Sequence, residues 1–167
     1  YLGKVEPDAE LFAYYMYRDY IAQDVMFTRQ LQERLESLGD AFGGKVCLSM
    51  PNPRYAGKIE AEVKEIRPLW EALNPSLPGL LLSRKPLVDI EKDDSLCYYI
   101  PFLTEGKILD VDSAVRTLKT LADDAIYSKC KENTPQDTPS LIDHLFEAIE
   151  IKPGIAGFAI DIKKLLG

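Results

Sequence analysis

A group of tyrosines with one arginine lies near the start of the chain. The residues that can stack or carry charge stand almost side by side: Tyr14, Tyr15, Tyr17, Arg18, Asp19 and Tyr20. Aromatic rings beside a guanidinium can stack a purine or nicotinamide ring and hold a phosphate. Tyrosines in an apolar run also pack strands against a core, so both roles stay open for this group.

A second group of polar residues lies near the middle of the chain. Ser83 closes an apolar run, and a set of carboxylates follows it: Asp89, Glu91, Asp93 and Asp94. Carboxylates held close together can transfer protons or bind a divalent metal. An acidic surface loop has the same composition, and we predict no metal site here.

Other catalytic arrangements are poorly represented. His144 is the single histidine and stands beside Asp143, so any nucleophile-histidine-carboxylate triad would have to use it. Cys47, Cys97 and Cys130 are far apart and show none of the close ligand spacing of zinc sites. The sequence contains no GxxxxGK[ST] phosphate loop. We expect free thiols, with Cys47 and Cys97 inside strands, and no resident cofactor.

Length and charge disfavour several classes of protein. The chain has 167 residues, which is the size of one domain. Lys and Arg number 20 and Asp and Glu number 27, and the net charge of −7 disfavours nucleic acid and anionic membranes as partners. No apolar run is long enough to span a membrane, and scattered, odd-numbered cysteines favour a reducing compartment, so we expect a cytoplasmic protein. We interpret residues 1–167 as a single α/β domain, and the first residue, Tyr1, suggests a piece of a longer protein.

Hydrophobic periodicity predicts the elements that must position these groups. Short apolar runs predict strands at residues 11–16, 45–50, 79–83, 96–100 and 158–162. Apolar residues spaced by three and four predict helices over 21–42, 59–73, 111–125 and 139–149, with Pro68 dividing the second. Continuous apolar runs are typical of strands covered on both faces. We therefore predict an open, mostly parallel five-stranded sheet with helices on both faces.

This fold predicts where the polar groups meet. Parallel strands joined by right-handed crossovers bring their carboxyl ends to one edge, where open α/β sheets place their ligands. The segments after the first and third strands would then form one crevice from these residues: Tyr15, Arg18, Asp19, Ser83 and Glu91. We expect Arg18 to be exposed there, so its replacement would leave the fold intact.

Part of the sequence resembles the TIR domain family. The family's opening segment often reads FxSYxxxD, and residues 12–19 keep Phe12, Tyr15 and Asp19 at that spacing, with Tyr14 in place of the serine. Residues 54–60 resemble the glycine-containing loop that leads into the next helix. Residues 80–83 resemble the third strand, which commonly ends in serine. The resemblance covers residues 10–103 and implies a flavodoxin-like fold of three layers.

The resemblance also implies a site. Enzymatic TIR domains carry a W/C-x-x-E element after that serine, and its glutamate supports cleavage of the nicotinamide-ribose bond of NAD. Residues 84–91 have no tryptophan or cysteine, and Glu91 is the glutamate within reach. The ligand-binding residues would be the following: Tyr14, Tyr15, Arg18, Asp19 and Ser83.

Three functions stay open. The first is a TIR-like signalling or defence domain that binds a nucleotide-like ligand, associates with copies of itself or binds a partner domain. The alternative is an NAD glycohydrolase, in which Glu91 stabilises charge at the anomeric carbon while Tyr15 and Arg18 hold the base and the phosphates. NAD would then be a substrate or ligand. The third is a structural α/β domain without a ligand.

Overall fold

The structure is a computed structural model, which describes residues 11–18, 20–41, 46–49, 63–86, 89, 96–131, 143–144, 146–147 and 158–161. The strands are β1 (Leu11–Met16), β2 (Val46–Ser49), β3 (Gly79–Ser83), β4 (Leu96–Pro101), β5 (Leu103–Thr104), β6 (Lys107–Ile108) and β7 (Phe158–Asp161). The helices are α1 (Ala22–Ala41), α2 (Arg67–Leu73), a 3-10 helix at Asn74–Ser76 and α3 (Val111–Lys131). Residues 63–65, 143–144 and 146–147 are also helical.

The first two predicted helices follow their apolar stripes. In α1, Thr28, Leu31 and Leu35 recur at spacings of three and four, and all three side chains are buried. Pro68 lies in the first turn of α2, where its missing N–H removes no helical hydrogen bond, and the chain bends at Ile66 just before it. The predicted division of the second helix at Pro68 is confirmed.

The main sheet is mixed, in the order β2-β1-β3-β4-β7. β1 and β2 are parallel, whereas the pairs β1-β3, β3-β4 and β4-β7 are antiparallel. The prediction of an open, mostly parallel sheet is therefore wrong, and the chain is α/β only in a general sense. The physical reason is that a continuous apolar run indicates burial on both faces and carries no information on strand direction. Consecutive strands such as β3 and β4 join most directly when they are antiparallel.

Apolar side chains cover both faces of this sheet. The first core packs against α1 and α3 and includes these residues: Leu11, Ala13, Tyr15, Leu31, Leu35, Leu118 and Leu121. The second core packs against α2 and includes these: Phe12, Tyr14, Met16, Leu69, Leu73, Leu77 and Tyr99. Successive residues of β1 belong alternately to the two cores, as the two-residue period of a strand requires.

Gly79 permits a close contact between β3 and the ring of Tyr99. The Tyr99 hydroxyl donates a hydrogen bond to the backbone O of Ser76 at 3.1 Å, which holds the ring over the start of β3. A Cβ at position 79 would overlap both the ring and the hydroxyl of Tyr99. This position therefore has no room for a side chain.

β5 and β6 form a separate hairpin. Its turn residues, Glu105 and Gly106, have φ values of 52° and 75°. Positive φ at both central positions is typical of a type I′ turn, whose twist matches that of the two strands. The hairpin leads into α3 through residues 109–110.

Candidate functional site

The predicted ligand-binding tyrosines are core residues. Tyr14 is 2% exposed and Tyr15 is 0% exposed, and the two side chains lie on opposite faces of the sheet. The Tyr15 ring stacks on the Tyr17 ring at a centroid distance of 5.6 Å. Neither Tyr14 nor Tyr15 offers an open face to a nucleobase, so these two residues pack the strand against the cores.

The Tyr15 hydroxyl belongs to a short buried chain of hydrogen bonds. Thr28 Oγ1 donates to the backbone O of Asp24 at 2.7 Å, which uses the single hydroxyl proton of the threonine. The Tyr15 hydroxyl therefore donates to Thr28 Oγ1, at 2.9 Å. Burial raises the pKa of Tyr15 well above its ordinary value and outweighs the opposite effect of this hydrogen bond. The phenol is a fixed donor at neutral pH.

Arg18 is bound to a buried carboxylate. Its Nε donates to Asp24 Oδ2 at 2.9 Å, and its Nη2 donates to Oδ1 at 3.3 Å. The Asp24 side chain is 0% exposed and the Arg18 side chain 22% exposed. Nη2 also donates to the backbone O of Leu77 at 3.0 Å. Arg18 thus connects the end of β1 to α1 and to the chain before β3, and it is not the exposed residue that we expected.

Asp24 is the residue of this network that sequence reasoning missed. It lies one helical turn before Thr28 and two turns before Leu31, on the face of α1 that packs against the sheet. An acidic residue on an apolar helix face must be neutralised or paired when that face is buried. Arg18, six positions earlier, is the cation that pairs with it. An acidic residue on an apolar helix face, with an arginine six positions before it, is the sequence signal that could have revealed the ion pair.

Ser83 lies at the other end of the sheet from Arg18. The antiparallel register places Ser83 opposite Phe12 and Gly79 opposite Met16. At about 3.4 Å per residue, Ser83 is roughly 14 Å along the sheet from the end of β1. The expected crevice required parallel strands, so Tyr15 and Arg18 do not share a crevice with Ser83.

Ser83 has structural contacts of its own. Its side chain is fully buried, and Oγ accepts a hydrogen bond from the backbone N of Lys85 at 3.2 Å. Burial raises the pKa of the adjacent Cys97 thiol to about 11, although a hydrogen bond with Ser83 partly opposes that rise. Cys97 and Cys47 are free thiols inside strands, as expected. A thiol held protonated in this way is a poor nucleophile at neutral pH.

Two predicted site residues, Asp19 and Glu91, lie outside the described residues. The part of the chain that the structure describes holds no group of three or more His, Cys, Asp and Glu residues placed to bind a metal ion. The catalytic role expected for Glu91 therefore remains a prediction from the sequence.

The segment around His144 packs on the end of β3. Asp143 forms an ion pair with Arg84, whose guanidinium lies 5.0 Å from the centroid of the Phe146 ring. Phe146 in turn stacks on Tyr98 at 4.3 Å. His144 is 4% exposed. These contacts attach helical residues 143–144 and 146–147 to the sheet. The Asp143 carboxylate pairs with Arg84.

An open groove lies between α1 and the β5-β6 hairpin. Its volume is about 630 Å³, which is within the range of ligand-binding clefts. One wall is formed by four residues of α1, namely Gln23, Met26, Phe27 and Gln30, and the other by residues 106–111. The α1 residues follow the spacing of one helix face, beside the face that packs on the sheet. No motif marks this site, because its walls are distant in the sequence.

The groove combines an apolar base with a polar rim. Phe27 is buried and packs against Phe102 at a centroid distance of 5.8 Å. Ile108 is partly buried against the first core. Met26, by contrast, has 62% of its surface exposed to solvent. The groove therefore presents an exposed apolar side chain next to a rigid, well-packed base.

Asp110 lines the groove, and its carboxylate caps the N-terminus of α3. Its Oδ1 accepts from the backbone N of Ser113 at 2.9 Å, and its Oδ2 accepts from Ser113 Oγ at 2.6 Å. These are the contacts of a helix N-cap, and they lower the pKa of Asp110 below its ordinary value. Its carboxylate is therefore occupied as an acceptor.

Comparison of the chain with protein-family models, with curated proteins and with solved structures gave no match. The TIR resemblance therefore stays a prediction from the quoted motifs, and the parallel sheet that it implied is not the sheet observed. Among the helices of the described ranges, none combines the length and the apolar character needed to cross a membrane.

Proposed function

We propose that this chain is a binding module that holds a segment of a partner protein in the groove between α1 and the β5-β6 hairpin. The observation that carries the proposal is the exposed side chain of Met26 at the wall of an open groove of about 630 Å³. Contiguous apolar surface beside a concave wall is typical of interaction sites, and Met26 lines the groove together with the partly exposed Ile108 and Val111. A partner that covers Met26 removes apolar surface from water, which drives association.

The shape of the groove favours a polypeptide over a small molecule. Small-ligand sites enclose most of the ligand surface, whereas this groove is open to solvent along α1. Gln23 and Gln30 flank Met26 and Phe27 on the same wall. Their amides can donate to and accept from a backbone, and the two apolar side chains between them supply hydrophobic contact.

This proposal retains the binding function predicted from the sequence and assigns it to a different surface. Buried Tyr15 cannot stack a base, and Arg18 already binds Asp24, so neither supports nucleotide binding at the end of β1. The same observations weaken the alternative of NAD cleavage, which needs both residues. We also propose a cytoplasmic location, which the free thiols of Cys47 and Cys97 support.

The test uses short linear peptides displayed on phage and selected on the full chain. The retained peptides are synthesised and titrated by fluorescence anisotropy against the chain and against Met26→Glu. Affinity should fall roughly tenfold or more for Met26→Glu, because a carboxylate then replaces an apolar contact. Met26 is exposed, so the substitution should leave the fold intact.

Thr120→Glu is the matched control. Thr120 lies on the exposed face of α3 outside the groove, so this substitution adds the same charge to another helix surface. Peptides should bind Thr120→Glu as tightly as the original chain. Equal affinity for both variants would overturn the proposal, as would a selection that yields no peptide sensitive to Met26→Glu.

A further inference from the structure

The backbone of Ile108 forms an open strand edge. Leu109 N–H donates to the O of Phe102 at 2.9 Å. Hydrogen-bonded and non-hydrogen-bonded pairs alternate along an antiparallel hairpin, so the next pair, Leu103 and Ile108, is a non-hydrogen-bonded pair. In such a pair, the N–H and C=O groups of both residues point away from the partner strand. Within the residues that the structure describes, the Ile108 backbone groups have no hydrogen-bond partner.

This edge borders the groove. Residues 106–111 line one wall, so the groove lies along β6 and the chain that follows it, with Met26 and Gln30 of α1 opposite. The side chain of Ile108 packs against the first core, which holds its backbone in a fixed position. A strand edge facing a helix can receive an extended peptide, whose backbone supplies the missing hydrogen bonds.

Lys107 provides a positive charge beside the groove. It is exposed, and among the described residues no carboxylate lies within ion-pair distance of its Nζ. The nearby Asp110 carboxylate is occupied by Ser113. Asp110 keeps its own negative charge, so the support for an acidic ligand is that the Lys107 ammonium is available to form an ion pair with it.

We propose that an extended peptide adds to the Ile108 edge of β6 as a further strand, with an apolar side chain against Met26 and an acidic side chain near Lys107. This inference rests on the proposed function, since it specifies how a partner segment binds in the same groove. The Ile108 N–H donates to a peptide carbonyl, and a peptide N–H donates to the Ile108 C=O. Lys107 of β6 is paired with Thr104, so Ile108 supplies the hydrogen bonds of this edge and one peptide N–H donates to it.

An N-methyl scan of the selected peptides tests the backbone pairing. Each peptide is synthesised with one N-methyl group at successive positions and titrated against the full chain. Methylation should reduce affinity roughly tenfold at the one position whose N–H donates to the Ile108 C=O, because it removes that hydrogen bond and adds bulk. At the other positions the N–H does not donate to Ile108, so methylation should have a smaller effect.

Amide hydrogen exchange gives a second readout on the chain itself. The Ile108 N–H should exchange rapidly in the free chain and be protected when a selected peptide is bound. The Lys107 amide, which belongs to the bonded Thr104-Lys107 pair at the turn, is the internal reference. Its protection should change less than that of Ile108.

A charge variant tests the acidic preference. Lys107→Gln should weaken binding of peptides with an acidic residue about two- to fivefold, as expected for an exposed ion pair. Lys119→Gln removes the same charge from an exposed position on α3 and should leave the affinity unchanged. Equal affinities for the two variants would overturn the acidic preference.

The outcomes separate this inference from the proposed function. A clear affinity loss at one N-methylated position, together with protection of Ile108, supports strand addition. Peptides that require Met26 but tolerate N-methylation at every position overturn strand addition and leave the binding module standing. Peptides that are insensitive to Met26→Glu overturn both.

Discussion

Arg18 Nε lies 2.9 Å from Oδ2 of Asp24, and the side chain of Asp24 is completely buried. The contact involves both carboxylate oxygens, because Nη2 reaches Oδ1 at 3.3 Å. A carboxylate in this environment depends on its partner, since an isolated buried charge is strongly unfavourable. The pair therefore stabilises the junction of β1 and α1.

Replacing Arg18 should destabilise the fold. We expect Arg18→Ala to lower the free energy of unfolding by about 3–5 kcal/mol, because the buried Asp24 carboxyl group then loses its cation and keeps only the hydrogen bond from the backbone N–H of residue 18. Urea denaturation followed by circular dichroism measures the change. Arg29→Ala, which removes an exposed arginine from the same helix, should stay within about 0.5 kcal/mol of the original chain.

A second substitution separates the charge effect from lost packing. In the Arg18→Ala background, Asp24→Asn removes the unpaired charge and should restore part of the lost stability. If Arg18→Ala and Arg29→Ala have equal effects, the ion pair does not stabilise the fold as inferred here.

Cys97 should make the fold sensitive to alkaline pH. Its thiol has a pKa of about 11 in the folded chain and an ordinary value of 9.0. Between these values the thiol loses its proton in the unfolded chain and keeps it in the folded chain. The contribution of Cys97 to stability is therefore fully present below about pH 9 and is lost as pH rises. The expected slope is about 1.4 kcal/mol per pH unit. Burial also raises the pKa of Tyr15 and Tyr99, which adds to the loss at higher pH.

Urea denaturation at a series of pH values measures this slope for the original chain and for Cys97→Ala. The variant loses packing at every pH, so both curves are first aligned at neutral pH. The Cys97→Ala curve should then be flatter between about pH 9 and 11. Two parallel curves would show that the Cys97 thiol does not control alkaline stability.

Gly79 should tolerate no side chain. A Cβ at this position overlaps the Tyr99 ring, so we expect Gly79→Ala to destabilise the fold by about 1–3 kcal/mol or more. A double-mutant cycle with Tyr99→Leu measures the coupling, and the two substitutions should be clearly non-additive. Gly106→Ala is the control, because a Cβ there meets no atom within 4 Å and the positive φ alone is unfavourable. Additive effects of Gly79→Ala and Tyr99→Leu would contradict the predicted overlap.

Glu105 should be a position where substitution stabilises the hairpin. Its φ of 52° is unfavourable for most side chains and is better suited to asparagine or glycine. We expect Glu105→Asn to recover part of the roughly 1–2 kcal/mol that left-handed backbone costs an ordinary residue, measured as a higher midpoint of thermal unfolding. The substitution Glu105→Val should have the opposite effect, since β-branched residues disfavour positive φ. A lower midpoint for Glu105→Asn would show that the glutamate makes a compensating contact.

The sequence predicts local elements better than their arrangement. The stripe through Thr28, Leu31 and Leu35 and the break at Pro68 arise from the period of a helix and from the missing proline N–H. Both are properties of a few neighbouring residues. The direction of β3 depends on its pairing with β1, more than sixty positions earlier, and apolar composition does not encode that direction.

The candidate site shows the same division. The sequence does not distinguish an exposed tyrosine from a buried one. Tyr15 is a core residue because helices cover β1, and that packing is visible only in the structure. The groove brings Met26 near Ile108, and no local pattern connects those two positions. Asp24 was predictable in principle, because an acid on an apolar helix face requires a partner.

The alternation of β1 between the two cores has a consequence for unfolding. Tyr14 and Met16 support one layer of the protein, whereas Ala13 and Tyr15 support the other. If either layer detaches, every second side chain of β1 becomes exposed to solvent, while the residues between them still pack against the opposite layer. Loosening of α2 on one side should therefore weaken the packing of α1 on the other. The slowest-exchanging amides of β1 should then exchange together, as one cooperative unit.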